Sequence, residues 1–428
     1  MVKDGQKIVI QGGNVLRGSV KAQGAKNAAL PILASALLLS EGTLQLERVP
    51  DLEDTRTMVQ ILRHLGAEAQ FENGTVEVHT PSEIAWETPP QLVRRMRASS
   101  LVLGPLLARC GRASLPLPGG CSIGGRPIDF HLKGLTKMGA EIELVHGTVQ
   151  ARARELRGCR LYMDFPSVGA TENLLMAAVC ARGETVIENA AREPEITNLA
   201  QALRAMGAII SGEGTGTIHV KGDTPLHGAT VRTIADRIEA CTYLLAGIIT
   251  GGEVTVEDIV PEHLEALLAK LEEAGAEAWA SGGRACARRH GRLSPLSLKA
   301  LPYPGFPTDL QPQMMAVLSL ASGTSVVQDG VFESRFLHVN ELQKMGARIE
   351  VQGGTAVITG APGLRGADVR ATDLRAGAAL ILAGLAASEE TSVFHIQHIN
   401  RGYENIVPKL HALGASIALV PSEEEDLV

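Results

Sequence analysis

Leu65-Gly66-Ala67-Glu68, Met138-Gly139-Ala140-Glu141, Met206-Gly207-Ala208, Ala274-Gly275-Ala276-Glu277, Met345-Gly346-Ala347 and Leu413-Gly414-Ala415 are six versions of one corner. Their glycines lie 73, 68, 68, 71 and 68 residues apart. A period of that length marks a supersecondary unit repeated along the chain, and it constrains the architecture before any single motif does. Around the third corner, Cys159 to Met163 reads as a strand and Thr171 to Cys180 as an apolar helix broken by Gly183. Thr185 to Glu188 reads as a second strand. Pro194 to Met206 is predicted to be an amphipathic helix, with Leu199, Leu203 and Met206 on one face. Gly207 stands where a left-handed helix terminus favours glycine, and a hairpin follows from Ile209 to Val220, turning at Gly212-Glu213-Gly214. The other copies repeat this order of strand, helix, strand, helix, hairpin.

The sixth copy is cut short. After Ser416 to Val420 comes an acidic tail, Glu423-Glu424-Glu425-Asp426, expected to be disordered. The first strand of the chain, Lys7 to Ile10, follows no corner of its own and is expected to complete the sixth copy. At 428 residues the chain is too long for one ordinary core. The expected class is therefore α/β: six βαβαββ repeats, three per domain. One domain would span residues 26–234, and a discontinuous second would combine 1–25 with 235–428.

Composition narrows the partners. A formal charge of −7 argues against a nucleic-acid binder, and 3% aromatic residues leave few platforms for stacking bases. The six cysteines form no CxxC pair, which suggests free thiols in a reducing compartment. The N-terminus lacks the form of a signal peptide, and the longest apolar run, Ala28 to Leu39, is too short to span a bilayer. These features lead to the expectation of a soluble cytoplasmic protein with no membrane partner.

Two threefold domains facing a cleft would gather helix N-termini, whose unpaired N–H groups and dipoles favour anions. First-helix starts carry Lys26-Asn27, Arg97, Ser167, Asp236-Arg237, Thr308-Asp309 and Asp373-Leu374-Arg375, and second-helix starts carry Arg126, Glu193, Arg335 and Arg401. Stability alone favours Ser, Thr, Asp or Asn there. Repeated cations at a positive dipole end imply an anionic ligand that offsets the repulsion; the plainer alternative is surface arginines without a function.

One copy breaks the pattern. Leu115 to Pro127 contains Gly119-Gly120-Cys121-Ser122-Ile123-Gly124-Gly125-Arg126, with prolines at 116, 118 and 127, and is expected to be neither strand nor helix. Mobile lids that close over substrates often have this composition. Arg126 would lower the pKa of a nearby thiol and hold a phosphate. A long surface loop with an incidental cysteine is the alternative. In Phe306-Pro307-Thr308-Asp309-Leu310, Asp309 either caps a helix or, if Thr308 caps instead, is free to act as a base. His395 and His398 have no HxxxH helix or carboxylate cluster beside them, so metal ligation is weakly supported, and no Walker-type loop is present.

Seven segments in order carry a resemblance over nearly the full chain: Gly24 to Pro31; the Cys121 loop through Asp129; Ser167 to Thr171; Asn189 to Glu195; Phe306 to Asp309; Thr372 to Arg375; and Arg401 to Glu404. Together they resemble UDP-N-acetylglucosamine 1-carboxyvinyltransferase, the MurA enolpyruvyl transferases of peptidoglycan synthesis. The resemblance implies a pair of inside-out α/β barrels. It implies transfer of enolpyruvyl from phosphoenolpyruvate to the 3-hydroxyl of UDP-N-acetylglucosamine, with release of phosphate and no metal or organic cofactor. Carried over by motif, Cys121 would be the general acid, able to form a covalent phosphoenolpyruvate adduct and alkylated by fosfomycin. Asp309 would be the base. Lys26, Asn27, Arg126, Arg375 and Arg401 would hold phosphoenolpyruvate. Arg97, Arg126, Pro127, Ile128, Asp129, Phe130, Ser167, Val168, Gly169, Asp309 and Val331 would surround the nucleotide sugar. One departure is Phe165, where some members carry a lysine that contacts the nucleotide.

Two other readings stay in view. The sister transferase acting on shikimate 3-phosphate shares fold and donor, but usually shows Gly-Ser-Lys-Ser where this chain has Gly24-Ala25-Lys26-Asn27, and it lacks the cysteine lid. A catalytically silent UDP-sugar-binding paralogue would be expected to have lost Cys121, Asp309 or Arg401, and all three are present.

Overall fold

The computed structural model describes residues 5–119, 128–332 and 334–422. Cys121, Arg126, Pro127 and the acidic tail therefore lie outside the described residues. The described residues form two compact units, one of 24–119 with 128–234 and one of 5–23 with 235–422.

Each of the six corners is built the same way. All six glycines have positive φ, from +85° to +107°. The alanine after each glycine donates its N–H to the carbonyl of a leucine five residues earlier: Ala67 to Leu62, Ala140 to Leu135, Ala208 to Leu203, Ala276 to Leu271, Ala347 to Leu342 and Ala415 to Leu410, all within 2.9–3.1 Å. That bond satisfies a helix-end carbonyl, and the buried leucine packs where the motif places its apolar contact. A Cβ on Gly275 would meet no atom within 4 Å, so Gly275→Ala isolates the backbone cost. It should lower unfolding free energy by about 1 kcal/mol; an unchanged denaturant midpoint would contradict the role given to the corner.

The described residues of the 24–234 unit form three sheets. Ala229–Arg232 runs parallel to Gly42–Glu47, which pairs antiparallel with Thr75–Thr80 and through it with Glu68–Glu72. Arg160–Tyr162, Glu184–Glu188, Thr217–Lys221 and Ile209–Ser211 repeat that order, one parallel step followed by two antiparallel ones. The middle copy departs from it. Its sheet is Arg112–Pro116, Thr148–Arg152 and Glu141–Val145, and the parallel strand shrinks to a single bridge between Glu87 and Ser114. Pro89 and Pro90 follow at once and cannot donate to a ladder. Its first helix is also broken, into Pro90–Arg95, a 3₁₀ turn Arg97–Val102 and Leu103–Cys110, with Met96 extended between them. Leu115 and Pro116, expected to lie in the irregular loop, are the end of a strand.

The other unit repeats the scheme three times. Its sheets are Arg17–Lys21, Glu253–Glu257, Arg284–Arg288 and Glu277–Ser281; Ser297–Ala300, Thr324–Asp329, Thr355–Thr359 and Arg348–Gln352; and Asp368–Arg370, Glu390–Phe394, Gln6–Gln11 and Ser416–Pro421. In the last sheet the N-terminal strand sits between the two late ones, Ile8 opposite Val393 on one side and Leu419 on the other. A second N-terminal strand, Arg17–Lys21, joins the first of these sheets.

The layering follows from residue type. The first helices are rich in Ala and Leu and are buried all round, as in Arg237–Thr250 and Leu374–Ala386. A helix without a polar face belongs at the centre of its unit. The second helices are amphipathic, and the strands alternate buried with exposed residues, so helices fill each core and sheets face solvent. No helix among the described residues is long and apolar enough to cross a membrane.

Candidate active site

The expected first-helix starts are helix starts. Lys26 and Arg97 are first residues; Ser167, Asp236 and Asp373 are N-caps; Thr308 opens a 3₁₀ turn leading into Gln311–Leu318. Asp236 and Asp373 each accept two backbone N–H bonds, as the dipole favours. Among the second-helix starts, Glu193 is an N-cap, but Arg401 is not at an N-terminus. It closes the 3₁₀ turn Ile396–Arg401, five residues before helix Ile406–Ala412.

In the 24–234 unit, Lys26 begins a helix with no side-chain cap and no acidic residue in its first turn. Its ammonium lies 2.8 Å from Asp54 Oδ2, with 12% and 6% of the two side chains exposed. The cation that the dipole disfavours is thus matched by a carboxylate from the neighbouring helix, Glu53–His64. Asn27 is exposed beside it.

The three segments expected around the nucleotide sugar converge in this unit. Asn173, on helix Val168–Ala178, donates to Ser100 O at 2.7 Å and accepts from Gly104 N at 2.5 Å, fixing the segment that Arg97 begins. The same amide contacts His131 Nδ1 at 2.9 Å, two residues beyond Asp129. A Cβ on Gly169 would stand 3.5 Å from the His131 ring. Arg97, Ile128-Asp129-Phe130 and Ser167-Val168-Gly169 are therefore assembled about one buried imidazole. Burial, then the charge of Arg97, pushes its pKa down to about 4. His338, in the other unit, is also held at about 4, chiefly by burial.

Unfolding frees both imidazoles to bind protons below about pH 6.5, while the folded protein resists until about pH 4. Stability present above pH 6.5 is therefore lost as pH falls through this window, by roughly 2–3 kcal/mol per histidine. Urea midpoints at pH 7 and 4.5 should fall less for His131→Gln than for the parent; identical slopes would contradict this reading.

In the other unit, Asp309 is bracketed by two arginines. Arg335 Nη1 is 2.8 Å from Oδ1 and Arg375 Nη2 is 2.8 Å from Oδ2, and both arginine side chains are 5% exposed. Neither Asp309 nor Thr308 caps the helix: Thr308 Oγ1 donates to Asp329 Oδ2 at 2.6 Å. Burial would raise the Asp309 pKa, but the charges and hydrogen bonds of Arg375 and Arg335 outweigh it and hold the carboxyl well below its usual range. Arg375 also donates to Tyr403 Oη at 3.3 Å.

Three contributors escape the sequence reading. Asp329 accepts from Val331 N at 2.9 Å and Phe332 N at 2.8 Å as well as from Thr308, so it sets the Val331 turn. Its signal was the turn dipeptide Asp329-Gly330. Asp54 and Asn173 had no local signal, because their partners lie 28 and 42–73 residues away. Among the described residues, no group of three His, Cys, Asp or Glu side chains is placed to hold a metal ion. The five described cysteines are free thiols, and burial pushes Cys180 up to about 11 and Cys241 to about 12.

A family model described as EPSP synthase (3-phosphoshikimate 1-carboxyvinyltransferase) matches residues 10–410. UDP-N-acetylglucosamine 1-carboxyvinyltransferase 2 of Carboxydothermus hydrogenoformans is 55% identical over 417 residues, covering 97% of this chain and 99% of that one. UDP-N-acetylglucosamine 1-carboxyvinyltransferase 1 of Halalkalibacterium halodurans is 49% identical, covering 99% and 96%. Among solved structures, the enolpyruvyl transferase NikO of Streptomyces tendae superposes with a TM-score of 0.88 at 28% identity, over 98% of this chain and 100% of that one. EPSP synthase of Acinetobacter baumannii, at 21% identity and a TM-score of 0.74 over 97% of this chain and 100% of that one, shares the fold. Near-complete coverage at about half identity leads to one conclusion: the chain belongs to the UDP-N-acetylglucosamine 1-carboxyvinyltransferase family of enolpyruvyl transferases.

Proposed function

We propose that the protein transfers the enolpyruvyl group of phosphoenolpyruvate to the 3-hydroxyl of UDP-N-acetylglucosamine with release of phosphate, in the cytoplasm, as the first committed step of peptidoglycan synthesis. The observation that carries this reading is full-length similarity to enzymes of that name, in a chain that has Lys26, Cys121, Asp309 and Arg401 within the motifs that resemble the family.

The chemistry fits these residues. A proton from the Cys121 thiol adds to C3 of phosphoenolpyruvate, and the sugar oxygen attacks C2 while its proton passes to Asp309. A proton then leaves C3, the C2–O bond to phosphate breaks, and the double bond reforms. An acid and a base must therefore act at different atoms of one site. The first step creates a centre with oxocarbenium character, which exclusion of water by the Cys121 loop would protect. Lys26, Asn27, Arg126, Arg375 and Arg401 match the anionic groups of the donor. The segments gathered about His131 match the nucleotide sugar.

A carboxylate held between Arg335 and Arg375 is a weak base. Phosphoenolpyruvate bound at Arg375 would compete with Asp309 for that guanidinium and so strengthen the base when the donor is present. The test is phosphate release from phosphoenolpyruvate with UDP-N-acetylglucosamine or shikimate 3-phosphate, in parent and Cys121→Ala. Release with the first acceptor alone, lost in the variant, is expected. Turnover of shikimate 3-phosphate, or none with either, would overturn the proposal.

A further inference from the structure

Gln23 is the last residue of its unit before the chain passes to the other, and it is 7% exposed. Its backbone is fixed on both sides. The N–H donates to Glu239 Oε2 at 2.7 Å, and the carbonyl accepts from Asp236 N at 2.9 Å. Glu239 is in turn fully buried and 2.7 Å from Lys409 Nζ. With its main chain pinned, the side chain reaches the corner that follows Arg401. Gln23 Nε2 donates to Gly402 O at 2.9 Å, and Gln23 Oε1 accepts from Glu404 N at 2.8 Å.

One amide thus brackets Tyr403 from both sides, pairing with the main chain as a neighbouring strand would. The two bonds also fix which end of the amide is oxygen, since a carbonyl needs the donor and an N–H the acceptor. Position 402 has room for glycine and little more, because a Cβ there would lie 2.4 Å from the Leu374 side chain. Tyr403, 2% exposed, then holds Thr242 Oγ1 at 2.9 Å and Arg375 at 3.3 Å. Between Arg401 and Ile406 the corner is neither strand nor helix; Gly402 N and Tyr403 N both donate back to Ile399 O at 3.1 Å, and the Gln23 amide joins the corner to the strand end at Lys21.

We infer that Gln23 is a positioning residue for Arg401: its amide fixes the corner Gly402–Glu404 and so sets where the Arg401 guanidinium meets the donor's anionic groups. This rests on the reading that Arg401 binds phosphoenolpyruvate. Neither the motif at Gly24 to Pro31 nor that at Arg401 to Glu404 contains Gln23, so sequence matching assigns it no role.

The test is a double-mutant cycle on full-length protein, reading KM for phosphoenolpyruvate and for UDP-N-acetylglucosamine separately. Gln23→Met keeps length and removes both bonds. It should raise the phosphoenolpyruvate KM by about tenfold or more, with the UDP-N-acetylglucosamine KM within about twofold. In an Arg401→Ala background the same change should add less than about twofold, because a residue acting through Arg401 has nothing left to position. Gln23→Glu keeps length and the acceptor for Glu404 N, and should fall between parent and Gln23→Met; it decides the matter by the same ratios if Gln23→Met fails to fold. An unchanged phosphoenolpyruvate KM in both Gln23 variants, or an equal rise with and without Arg401, overturns the inference. If Arg401→Ala alone leaves that KM unchanged, the reading of Arg401 fails instead.

Discussion

Asp309→Asn should lower kcat by about 10²–10⁴-fold, the usual worth of a positioned acid or base. The substitution keeps a side-chain oxygen facing the arginines and removes the charge and the proton-accepting group. It also leaves Arg335 and Arg375, both 5% exposed, without their shared carboxylate. Breaking a buried pair costs about 3–5 kcal/mol, so the melting temperature should fall as well. UDP-N-acetylglucosamine affinity measured by calorimetry separates the two effects: a folded variant binds the nucleotide sugar and does not turn over. The parent should show a corresponding pH signature. Since Arg375 and Arg335 hold Asp309 well below the usual carboxylate range, its acid limb in kcat/KM lies at low pH. Arg375→Gln removes one cation, raises the Asp309 pKa and moves the limb to higher pH. A limb that stays in place would dissociate Asp309 from the proton transfer.

The second large effect is expected at Lys26. Lys26→Met should raise the phosphoenolpyruvate KM and lower kcat together, the latter by about 10²–10³-fold, as for loss of a preorganised donor at a charged transition state. The reason lies in the helix start. An ammonium at the first position of Lys26–Ser35, with no capping side chain, adds to the positive end of the dipole instead of opposing it. Asp54 at 2.8 Å holds the amine in place, and a bound dianion would share it. Asp54→Asn keeps the amine and loosens its anchor, so it should raise KM with a smaller change in kcat. If Lys26→Met moved only the melting temperature and left KM unchanged, Lys26 would be structural.

Much of this was legible in the sequence because the repeat writes itself in local chemistry. A leucine, three residues and a glycine before alanine specify a helix end six times over, and the period fixes the fold. The first-helix starts were legible for the same reason, since capping is a matter of neighbours; among the second-helix starts, Arg401 and Arg335 stand in turns ahead of their helices. The electrostatics were not. Cations at helix starts suggested charge awaiting a ligand, yet Lys26 already faces Asp54, and Arg335 and Arg375 already face Asp309. Those partners are 26 to 66 residues apart, and nothing in a linear pattern reports such pairing. Asp309 shows the limit most clearly. Reading it as either a cap or an unpaired carboxylate exhausted the local options, and the structure shows a third arrangement, a carboxylate paired with Arg335 and Arg375. The middle copy differs for a local reason: Pro89 and Pro90 cannot donate to a ladder, so its parallel strand shrinks to one bridge although the period around it is kept.

The mechanism rests on protonation of C3 followed by its deprotonation. Running the reaction in D₂O and analysing the vinyl methylene of the product, with recovered phosphoenolpyruvate alongside, tests this directly. Deuterium in the methylene of the product is expected, because the thiol exchanges its proton for a deuteron from solvent before delivering it to C3, and one of the three hydrogens then on C3 leaves. A product formed at full rate with no deuterium at C3 would rule out addition and elimination, and with them the acid and base assignments of Cys121 and Asp309.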